Sequence, residues 1–520
     1  MVEDKDISPN KQIARNLVFN TISFVVNFAI SFLFTPYLIK VVGKEAYSFF
    51  PLVNNLIGYS SVITAAVGSM AGRFITMKVY ANEMAEANKY YTSVWISNLF
   101  LSCIFTILSI YAVINIDVLL TIPKELHFDV QCLFALGSLS LVLSLLTGIL
   151  EIPTYVRNRV DLSSSRNLAT TLIRLSCILA LFWLFKPSII FMSLSALIAS
   201  IIGIFLNWNF KKKLLPELQL VPKKYFSIKH VKELTNSGVW NSLNQLSTML
   251  LYQLDLFITN IFLGAAITGD YAIAKTAPQL ILQLLAMLSG TFVAHFNVLF
   301  AKGQLDAVVA ETQKSMVIVG IIIGLPIGFL CVFSGDFYSL WVPDQDSDFL
   351  SRMTVYTILP MILGGSINPI FGLFATTNKL KVPSIITLSA GLIQTLVIIA
   401  LLKYTDLGIW AIIYTALFQS IIRNSLFTPL YGAYVLGKPL LTFIPTMLRG
   451  IAGMFIVIGI GLLTKHFINV NSWIMFFIAA TAVCIPSLFI NLYVMMKRTE
   501  RIHIFTVVGR KIHIPLDKIA

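Results

Sequence analysis

The sequence predicts an all-α polytopic membrane protein with about fourteen transmembrane helices. Hydrophobic residues make up 57% of the 520-residue chain and charged residues only 12%, well below the roughly 25% that is typical of soluble domains. The apolar residues are grouped in blocks of about 20, the length that an α-helix needs to cross a hydrocarbon layer of about 30 Å. No polar interruption is long enough to form a separate soluble domain.

Fourteen apolar blocks are predicted to form these helices. Their approximate limits are 15–39, 48–71, 92–114, 129–150, 166–185, 189–209, 237–262, 271–297, 315–334, 353–375, 383–402, 408–430, 446–465 and 473–496. Charged segments separate several of them. A charged ribbon at 71–93 links the second and third blocks, a basic loop at 210–234 links the sixth and seventh, and a second ribbon at 293–315 links the eighth and ninth.

The distribution of basic residues predicts that both termini are cytoplasmic. Of the 38 Lys and Arg residues, 28 fall on the side of the N-terminus, 7 on the opposite side and 3 within spans. Lys and Arg accumulate in cytoplasmic loops of membrane proteins, so this bias predicts an N-in, C-in topology. The net charge of +14 is therefore expected from topology, and no nucleic acid partner is predicted.

Five regions are predicted from this topology. Spans one to six form an N-lobe at 1–209, and an amphipathic cytoplasmic linker follows at 210–236. Spans seven to twelve form a C-lobe at 237–430, spans thirteen and fourteen occupy 431–496, and a basic cytoplasmic tail covers 497–520.

The two lobes are predicted to be copies of each other, at an offset of about 222 in the numbering. With this shift Arg73 falls on His295, and the pair Arg157 and Arg159 falls on Lys379 and Lys381. Six spans is an even number, so the copies insert in the same orientation, and such parallel repeats bracket a central substrate path in transporters. Arg73 and His295 are predicted either to line the cytoplasmic mouth of this cleft or to belong to a solvated connector.

Three segments resemble the polysaccharide flippases of the MATE-like multidrug/oligosaccharidyl-lipid/polysaccharide exporter superfamily, which translocate O-antigen and capsule repeat units. They are FTPYLIKVVGKEAYSFF at 34–50, GSMAGRFITMKVYANEMAEANKYY at 68–91 and LGAAITGDYAIAKTAPQL at 263–280. The arrangement of six, six and two spans fits the same families. The resemblance covers the whole chain.

The resemblance implies a transporter, and no enzyme, in the bacterial cytoplasmic (inner) membrane. It implies that undecaprenyl-pyrophosphate-linked oligosaccharides move from the cytoplasmic to the periplasmic leaflet by alternating access, for surface polysaccharide biosynthesis. It further implies that cationic cleft residues hold the pyrophosphate and that a Na⁺ or H⁺ gradient drives the cycle. No cofactor and no bound metal are expected. The expected partners are the lipid-linked oligosaccharide, membrane lipids, and a polymerase and glycosyltransferases of the same pathway.

Arg174 is the first candidate for contact with the pyrophosphate. It lies about two turns inside the fifth span, where burial in lipid costs several kcal/mol. A guanidinium can bind phosphate oxygens through two parallel hydrogen bonds. The alternatives are that Arg174 extends to the membrane interface or pairs with a neighbouring span, such as the one that carries Glu151.

Asp255 in the seventh span is the candidate site for a coupling ion, because a desolvated carboxylate titrates at a raised pH. Lys275 in the eighth span is a second candidate for the substrate, and a structural ion pair between Asp255 and Lys275 is the alternative.

Four amide side chains are candidates for binding sugar hydroxyls, since amides both donate and accept hydrogen bonds. They are Asn54, Asn241, Gln245 and Gln279. Amides also join helices in membranes, so a structural role is the alternative for each. Arg157, Arg159, Lys379 and Lys381 are predicted either to attract an anionic lipid headgroup at the cytoplasmic mouth or to act only as topology signals.

Two other functions are compatible with the fold class. A MATE-type exporter of organic cations, coupled to sodium or protons, would favour carboxylates and aromatic residues in its cleft, whereas the deep charges here are Arg174, Lys275 and Asp255. A membrane-embedded glycosyltransferase or polymerase typically carries a long outer loop with acidic or histidine residues, whereas the longest outer segment here, which begins near Ser334, is only about 18 residues long and has no histidine cluster.

Overall fold

The computed structural model describes residues 9–496 and residue 501, and this part of the chain is almost entirely helical, with no β-strand in it. Its α-helices are α1 Pro9–Val42, α2 Lys44–Gly58, α3 Ser61–Tyr80, α4 Met84–Ile114, α5 Ile116–Leu119, α6 His127–Thr147, α7 Ile152–Val156, α8 Val160–Leu184, α9 Ile190–Leu214, α10 Pro222–Tyr225, α11 Ile228–Tyr252, α12 Leu254–Ala274, α13 Thr276–Ala301, α14 Leu305–Trp341, α15 Ser347–Ile358, α16 Met361–Ile367, α17 Pro369–Thr376, α18 Lys381–Tyr404, α19 Ile409–Ile422, α20 Thr428–Val435, α21 Ile444–Phe467 and α22 Trp473–Met495. The predicted basic tail at 497–520 lies outside the described residues, apart from residue 501. The predicted all-α class is confirmed.

Thirteen segments of the described chain are helical, long and apolar enough to cross a membrane. Each overlaps a different predicted span, and the span predicted at 408–430 has no counterpart among them. That span is divided among α19, a π-helical segment at Arg423–Phe427 and α20. Pro429 has no N–H to donate to the carbonyl four residues earlier and its ring clashes there, so the helix widens just before it. The number of spans and the N-in, C-in orientation stay predictions.

The internal duplication is visible in the backbone. Six residues with a positive φ form three pairs that have nearly the same separation in the sequence: Gly43 and Gly264, Asn82 and Gly303, and Asn158 and Asn378. Gly43 has φ 85° and ψ 155°, and Gly264 has φ 80° and ψ 178°, a region that is open only to glycine. The other four residues end helices in the left-handed conformation that Gly and Asn tolerate best.

The described chain forms two compact units, Met1–Gly269 and Asp270–Ala520. The first unit contains α11, which begins the second copy of the repeat, because α11 packs along α3. A Cβ at Gly238 would lie 2.1 Å from the carbonyl oxygen of Ala66. Glycine therefore allows the two helix backbones to touch. The predicted lobe limits of 1–209 and 237–430 follow the repeat and stay a prediction.

The segment predicted as a linker is held against α4 in the first unit. The side chain of Asn88 accepts a hydrogen bond from the Gln219 N–H at 2.8 Å and donates one to the Glu217 carbonyl at 3.3 Å. Thr92 donates to the Gln219 carbonyl at 3.2 Å. Leu218 is fully buried in the same place. The linker is therefore part of the packed core of this unit.

The cytoplasmic ends predicted for spans one and five are joined through the buried carboxylate of Asp161, which is 1% exposed. Arg15 and Arg159 each donate to it from Nε at 3.0 Å, and Gln12 donates from Nε2 at 2.9 Å. The Asp161 N–H donates to the Asn16 side chain at 2.9 Å. This network fixes the start of α8 against α1.

The second unit is built around α14, a 37-residue helix that packs along α21 and α22. A Cβ at Gly328 would lie 2.7 Å from the side chain of Val457, so glycine allows α21 to pack closely. The hydroxyl of Tyr338 is buried and hydrogen-bonds to Thr354 at 2.7 Å and to the Ala274 carbonyl at 3.3 Å. These contacts fix α14 and α15 against the end of α12.

Candidate functional site

A polar cavity of about 290 Å³ lies between α6, α8 and α9 in the first unit. Its lining is rich in small, hydroxyl-bearing and amide-bearing side chains, among them Ser144, Thr147, Asn167, Thr170, Thr171 and Asn207. Three charged residues complete it, Arg166, Arg174 and Glu151. Neutral donors and acceptors with two arginines are a lining that suits a ligand carrying hydroxyl and anionic groups.

One face of α8 carries both arginines. Arg166, Thr170 and Arg174 are spaced four residues apart, so they lie in a row on the same side of the helix. The rise of a helix separates Arg166 from Arg174 by about 12 Å along the axis. With the predicted N-in topology, Arg166 lies nearer the cytoplasmic end and Arg174 lies deeper in the membrane.

Glu151 reaches the cavity because the fourth span changes its helical form there. The α-helix α6 ends at Thr147, a 3₁₀ turn covers Gly148–Glu151, and α7 follows with Pro153 in its first turn. A 3₁₀ turn rotates side chains by a different angle than an α-helix does. The carboxylate of Glu151 is consequently placed against α8 and α9.

Arg166 is engaged by three side chains of the protein. Its Nη1 donates to the Glu151 carboxylate and, at 3.0 Å, to Asn207 Oδ1. Its Nη2 donates to Asn167 Oδ1 at 2.7 Å. The Arg166 side chain is only 12% exposed, whereas that of Glu151 is 48% exposed. The carboxylate therefore lies at the open edge of the cavity and the guanidinium behind it.

Arg174, unlike Arg166, contacts an aromatic ring and no carboxylate of the described chain. Its guanidinium carbon lies 5.0 Å from the centroid of the Phe50 ring, a cation–π contact. Among residues 9–496 and 501 it has no hydrogen-bond or ion-pair partner. Glu151, the alternative partner considered from the sequence, is engaged by Arg166. Arg174 thus lines the polar cavity, and no acceptor among the described residues engages its guanidinium.

Asp255 and Lys275 are both buried and lie in different units, Asp255 in the first and Lys275 in the second. The Asp255 carboxylate accepts a hydrogen bond from the Leu256 N–H at 2.8 Å, which places it at the start of α12. The Lys275 ammonium lies 5.4 Å from the Tyr271 ring centroid. The predicted roles of Asp255 and Lys275, and an ion pair between them, stay predictions.

Two of the four candidate amides join helices. Asn241 donates to Ser69 and Gln245 donates to Ser61, each at 3.2 Å, and both bonds connect α11 with α3. These contacts favour the structural alternative for this pair, because interhelical amide bonds stabilise helix packing in membranes. The other two, Asn54 on α2 and Gln279 on α13, have exposed side chains, and their sugar-binding role stays a prediction.

The residues predicted at the cytoplasmic mouth differ between the copies. Arg157 donates to the Leu214 carbonyl at 3.2 Å and Arg159 binds Asp161, so both take part in structural contacts. The other members are exposed, namely Arg73 on α3, His295 on α13, and Lys379 and Lys381 around the start of α18. Attraction of an anionic headgroup by these residues stays a prediction.

Arg166 carries no site prediction from the sequence, where it is one of the 28 basic residues on the side of the N-terminus. Its spacing of eight residues from Arg174, with Thr170 between them, is the signal that indicates a common helix face. Asn207 was not singled out either. It is 6% exposed and bonds to both Arg166 and Glu151.

An apolar groove occupies a position in the second unit comparable to that of this cavity. It has a volume of about 610 Å³. One wall is α18, and the other is formed by α19 together with the π-helical turn at Arg423–Phe427 that continues it. Its lining includes Ile386, Gln394, Phe418 and Leu426. With the offset that relates Asn158 to Asn378, Ile386 and Gln394 stand where the first copy has its two cavity arginines.

The family described as polysaccharide biosynthesis protein matches residues 13–293, which is more than half of the chain and includes the whole polar cavity. The chain belongs to this family. Over 458 residues it is 26% identical to the uncharacterized membrane protein EpsK of Bacillus subtilis (strain 168), and the match covers 88% of this chain and 90% of that protein. The predicted family resemblance is thereby confirmed.

Solved structures show the same fold. The lipid II flippase MurJ in an inward closed conformation has a TM-score of 0.64 and 15% identity, with 92% of this chain and 98% of that chain covered. A MATE family multidrug resistance transporter of the MOP superfamily, in an inward-facing conformation, has a TM-score of 0.59 and 15% identity, with 85% and 99% covered. The chain is accordingly a multi-pass membrane protein with the fold of MOP superfamily transporters.

Proposed function

We propose that this protein translocates undecaprenyl-pyrophosphate-linked oligosaccharide repeat units across the bacterial cytoplasmic membrane for surface polysaccharide biosynthesis. The family and the fold support a transporter or flippase in general. The observation that carries the choice of substrate is the cavity between α6, α8 and α9, in which Arg174 has no protein acceptor among the described residues.

In this proposal the arginines hold the charged part of the lipid and the neutral side chains hold its sugar. A guanidinium binds two phosphate oxygens at once, with charge-assisted bonds that are roughly twice as strong as neutral ones. Hydroxyl and amide groups of residues such as Thr170 and Asn207 donate to and accept from sugar hydroxyls. The protein moves its ligand by alternating access, driven by a proton or sodium gradient, with Asp255 as the candidate for the coupling ion.

The electrostatics of the cavity disfavour an organic cation. Its carboxylate, Glu151, is neutralised by Arg166, which leaves the positive charge of Arg174 uncompensated. Two unit charges of the same sign 4 Å apart repel by about 4 kcal/mol at an effective dielectric constant of 20. A cationic drug would meet this repulsion, whereas a phosphate group would be attracted.

The proposal is tested by deleting the gene in its native host and restoring it with plasmid-borne variants. Wild type and Arg352→Ala, the control in an exposed arginine of α15, are expected to restore surface polysaccharide. Arg174→Ala is expected to fail at normal protein level, and Arg174→Lys to restore it in part, since an ammonium keeps the charge but loses the paired donors.

Lipid-linked repeat units are measured in the same strains. Their accumulation on the cytoplasmic face in the deletion and in Arg174→Ala is the expected result. Normal polysaccharide in the deletion strain, together with altered sensitivity to cationic drugs, would overturn the proposal in favour of drug export. Polysaccharide loss without accumulated lipid-linked units would indicate a biosynthetic enzyme or polymerase.

A further inference from the structure

We infer that Arg166 is a second phosphate subsite and that Glu151 competes with the ligand for it. The inference rests on the proposed function and extends it: Arg174 takes one phosphate directly, whereas Arg166 becomes available only when the Glu151 carboxylate leaves it. Glu151 is then a positioning residue that sets how tightly the pyrophosphate is held and how readily it is released.

The solvent exposures of Arg166 and Glu151 are those expected if a ligand phosphate replaces the Glu151 carboxylate at Arg166. The Arg166 side chain is 12% exposed and is held from behind by Asn207 and Asn167, so it stays in place when its carboxylate is removed. Glu151 is 48% exposed and its other contact, with Asn207, is long at 3.4 Å. The carboxylate can therefore rotate toward water, where its own hydration replaces part of what its bond with Arg166 supplied.

The position of the pair fits a two-phosphate ligand. Arg166 and Arg174 lie on one face of α8 with Thr170 between them, and all three line one cavity, so a single ligand held there can meet both arginines. A phosphate oxygen that replaces the Glu151 carboxylate preserves the charge balance at Arg166 and makes the same type of bond. The exchange thus swaps one anion for another without leaving a buried guanidinium unpaired, which would be strongly unfavourable.

Glu151 also has an effect on release. While the ligand is bound, its carboxylate stays nearby as a tethered competitor with a high effective concentration. It can take Arg166 back as soon as the phosphate moves. A transporter must bind its substrate and also let it go, and a built-in competitor lowers the affinity in favour of turnover.

The test is a binding measurement on the full-length protein in lipid nanodiscs, with farnesyl pyrophosphate as the probe and farnesol as the control for its tail. Glu151→Gln is expected to bind farnesyl pyrophosphate about tenfold more tightly, because one charge-assisted competitor at a half-exposed site is removed. Glu83→Gln is the matched control, since Glu83 is 49% exposed, pairs with Lys78 and lies outside the cavity. It is expected to leave the affinity unchanged.

A double-mutant cycle tests whether the effect of Glu151→Gln on ligand affinity acts through Arg166. In an Arg166→Gln background the gain from Glu151→Gln is expected to disappear, because the two residues then no longer compete through a shared guanidinium. In cells, Glu151→Gln is expected to reduce polysaccharide output at normal protein level despite its tighter binding. Melting temperatures of all variants identify any that fail to fold.

The outcomes separate this inference from the proposed function. If wild type binds the probe in a manner that depends on Arg174, but Glu151→Gln leaves the affinity unchanged or weakens it, the inference is wrong and the cavity remains the phosphate site. A gain that persists in the Arg166→Gln background also overturns it. If wild type shows no binding that depends on Arg174, both the phosphate site and the inference fall.

Discussion

The buried carboxylate of Asp161 provides a stability prediction that can be worked out from the structure. It is 1% exposed and accepts hydrogen bonds from Arg159, Arg15 and Gln12. Replacing it with alanine leaves the Arg159 guanidinium, which is 18% exposed, without its charged partner. It also removes a negative charge from the first turn of α8, where it interacts favourably with the helix dipole.

The expected cost is dominated by the pair with Arg159. Breaking a buried ion pair from one side costs about 3 to 5 kcal/mol. The pair with Arg15, which is 41% exposed, adds at most about 1 kcal/mol because solvent screens it. The total is about 3 to 6 kcal/mol, and a unit of this size loses about 2 °C per kcal/mol, so the melting temperature should fall by about 6 to 12 °C.

The assay is thermal unfolding of the purified protein in detergent, followed by fluorescence-detected size exclusion. Asp117→Ala is the matched control: Asp117 also forms an ion pair, with His127 at 2.9 Å, but its side chain is 66% exposed. Its replacement should change the melting temperature by less than about 2 °C. Equal shifts for the two variants, or a shift below about 2 °C for Asp161→Ala, would refute the reasoning.

Two further predictions concern the packing of the first unit. Gly238→Ala should lower stability by about 1 to 3 kcal/mol, since its Cβ would lie 2.1 Å from the Ala66 carbonyl oxygen. The control Gly290→Ala, whose Cβ would have nothing within 4 Å, should be neutral in the same melting assay. Equal effects of the two substitutions would contradict the close approach of α11 and α3. Asn88→Ala should free the linker from α4 and make it several-fold more sensitive to trypsin, because two buried hydrogen bonds are lost at about 1 to 3 kcal/mol in total. The control Asn115→Ala, which loses one exposed hydrogen bond, should be cleaved at the wild-type rate. An unchanged cleavage rate in Asn88→Ala would show that packing alone holds the linker.

The sequence is sufficient to predict the fold class and the duplication. Apolar blocks of helical length indicate which segments can cross the membrane, because the requirement to satisfy backbone groups in lipid leaves few alternatives to a helix. The shared offset of the charged ribbons predicts the repeat. The positive-φ residues pair in the backbone at a slightly smaller offset, with Asn158 on Asn378, so Arg159 and not Arg157 falls on Lys379. Arg174 is found from sequence because a charged residue inside a span is rare.

Other features depend on packing that one sequence does not reveal. The engagement of Arg166 by Glu151 results from the 3₁₀ turn at Gly148–Glu151, and such a turn has no strong local signal. The widening at Arg423–Phe427 arises where Pro429 meets a long helix, but a proline can equally kink or end a helix. The assignment of α11 to the first unit depends on contacts with α3 that are remote in sequence.

The two copies of the repeat share their positive-φ turns but differ in the side chains that line the equivalent cavities. Where one copy has Arg166 and Arg174 facing a polar cavity, the other has Ile386 and Gln394 facing an apolar groove. Symmetry of the backbone is thus no guide to symmetry of function. Once a gene is duplicated within one chain, each half is free to specialise, and mutational sensitivity in this protein should be read half by half rather than averaged over equivalent positions.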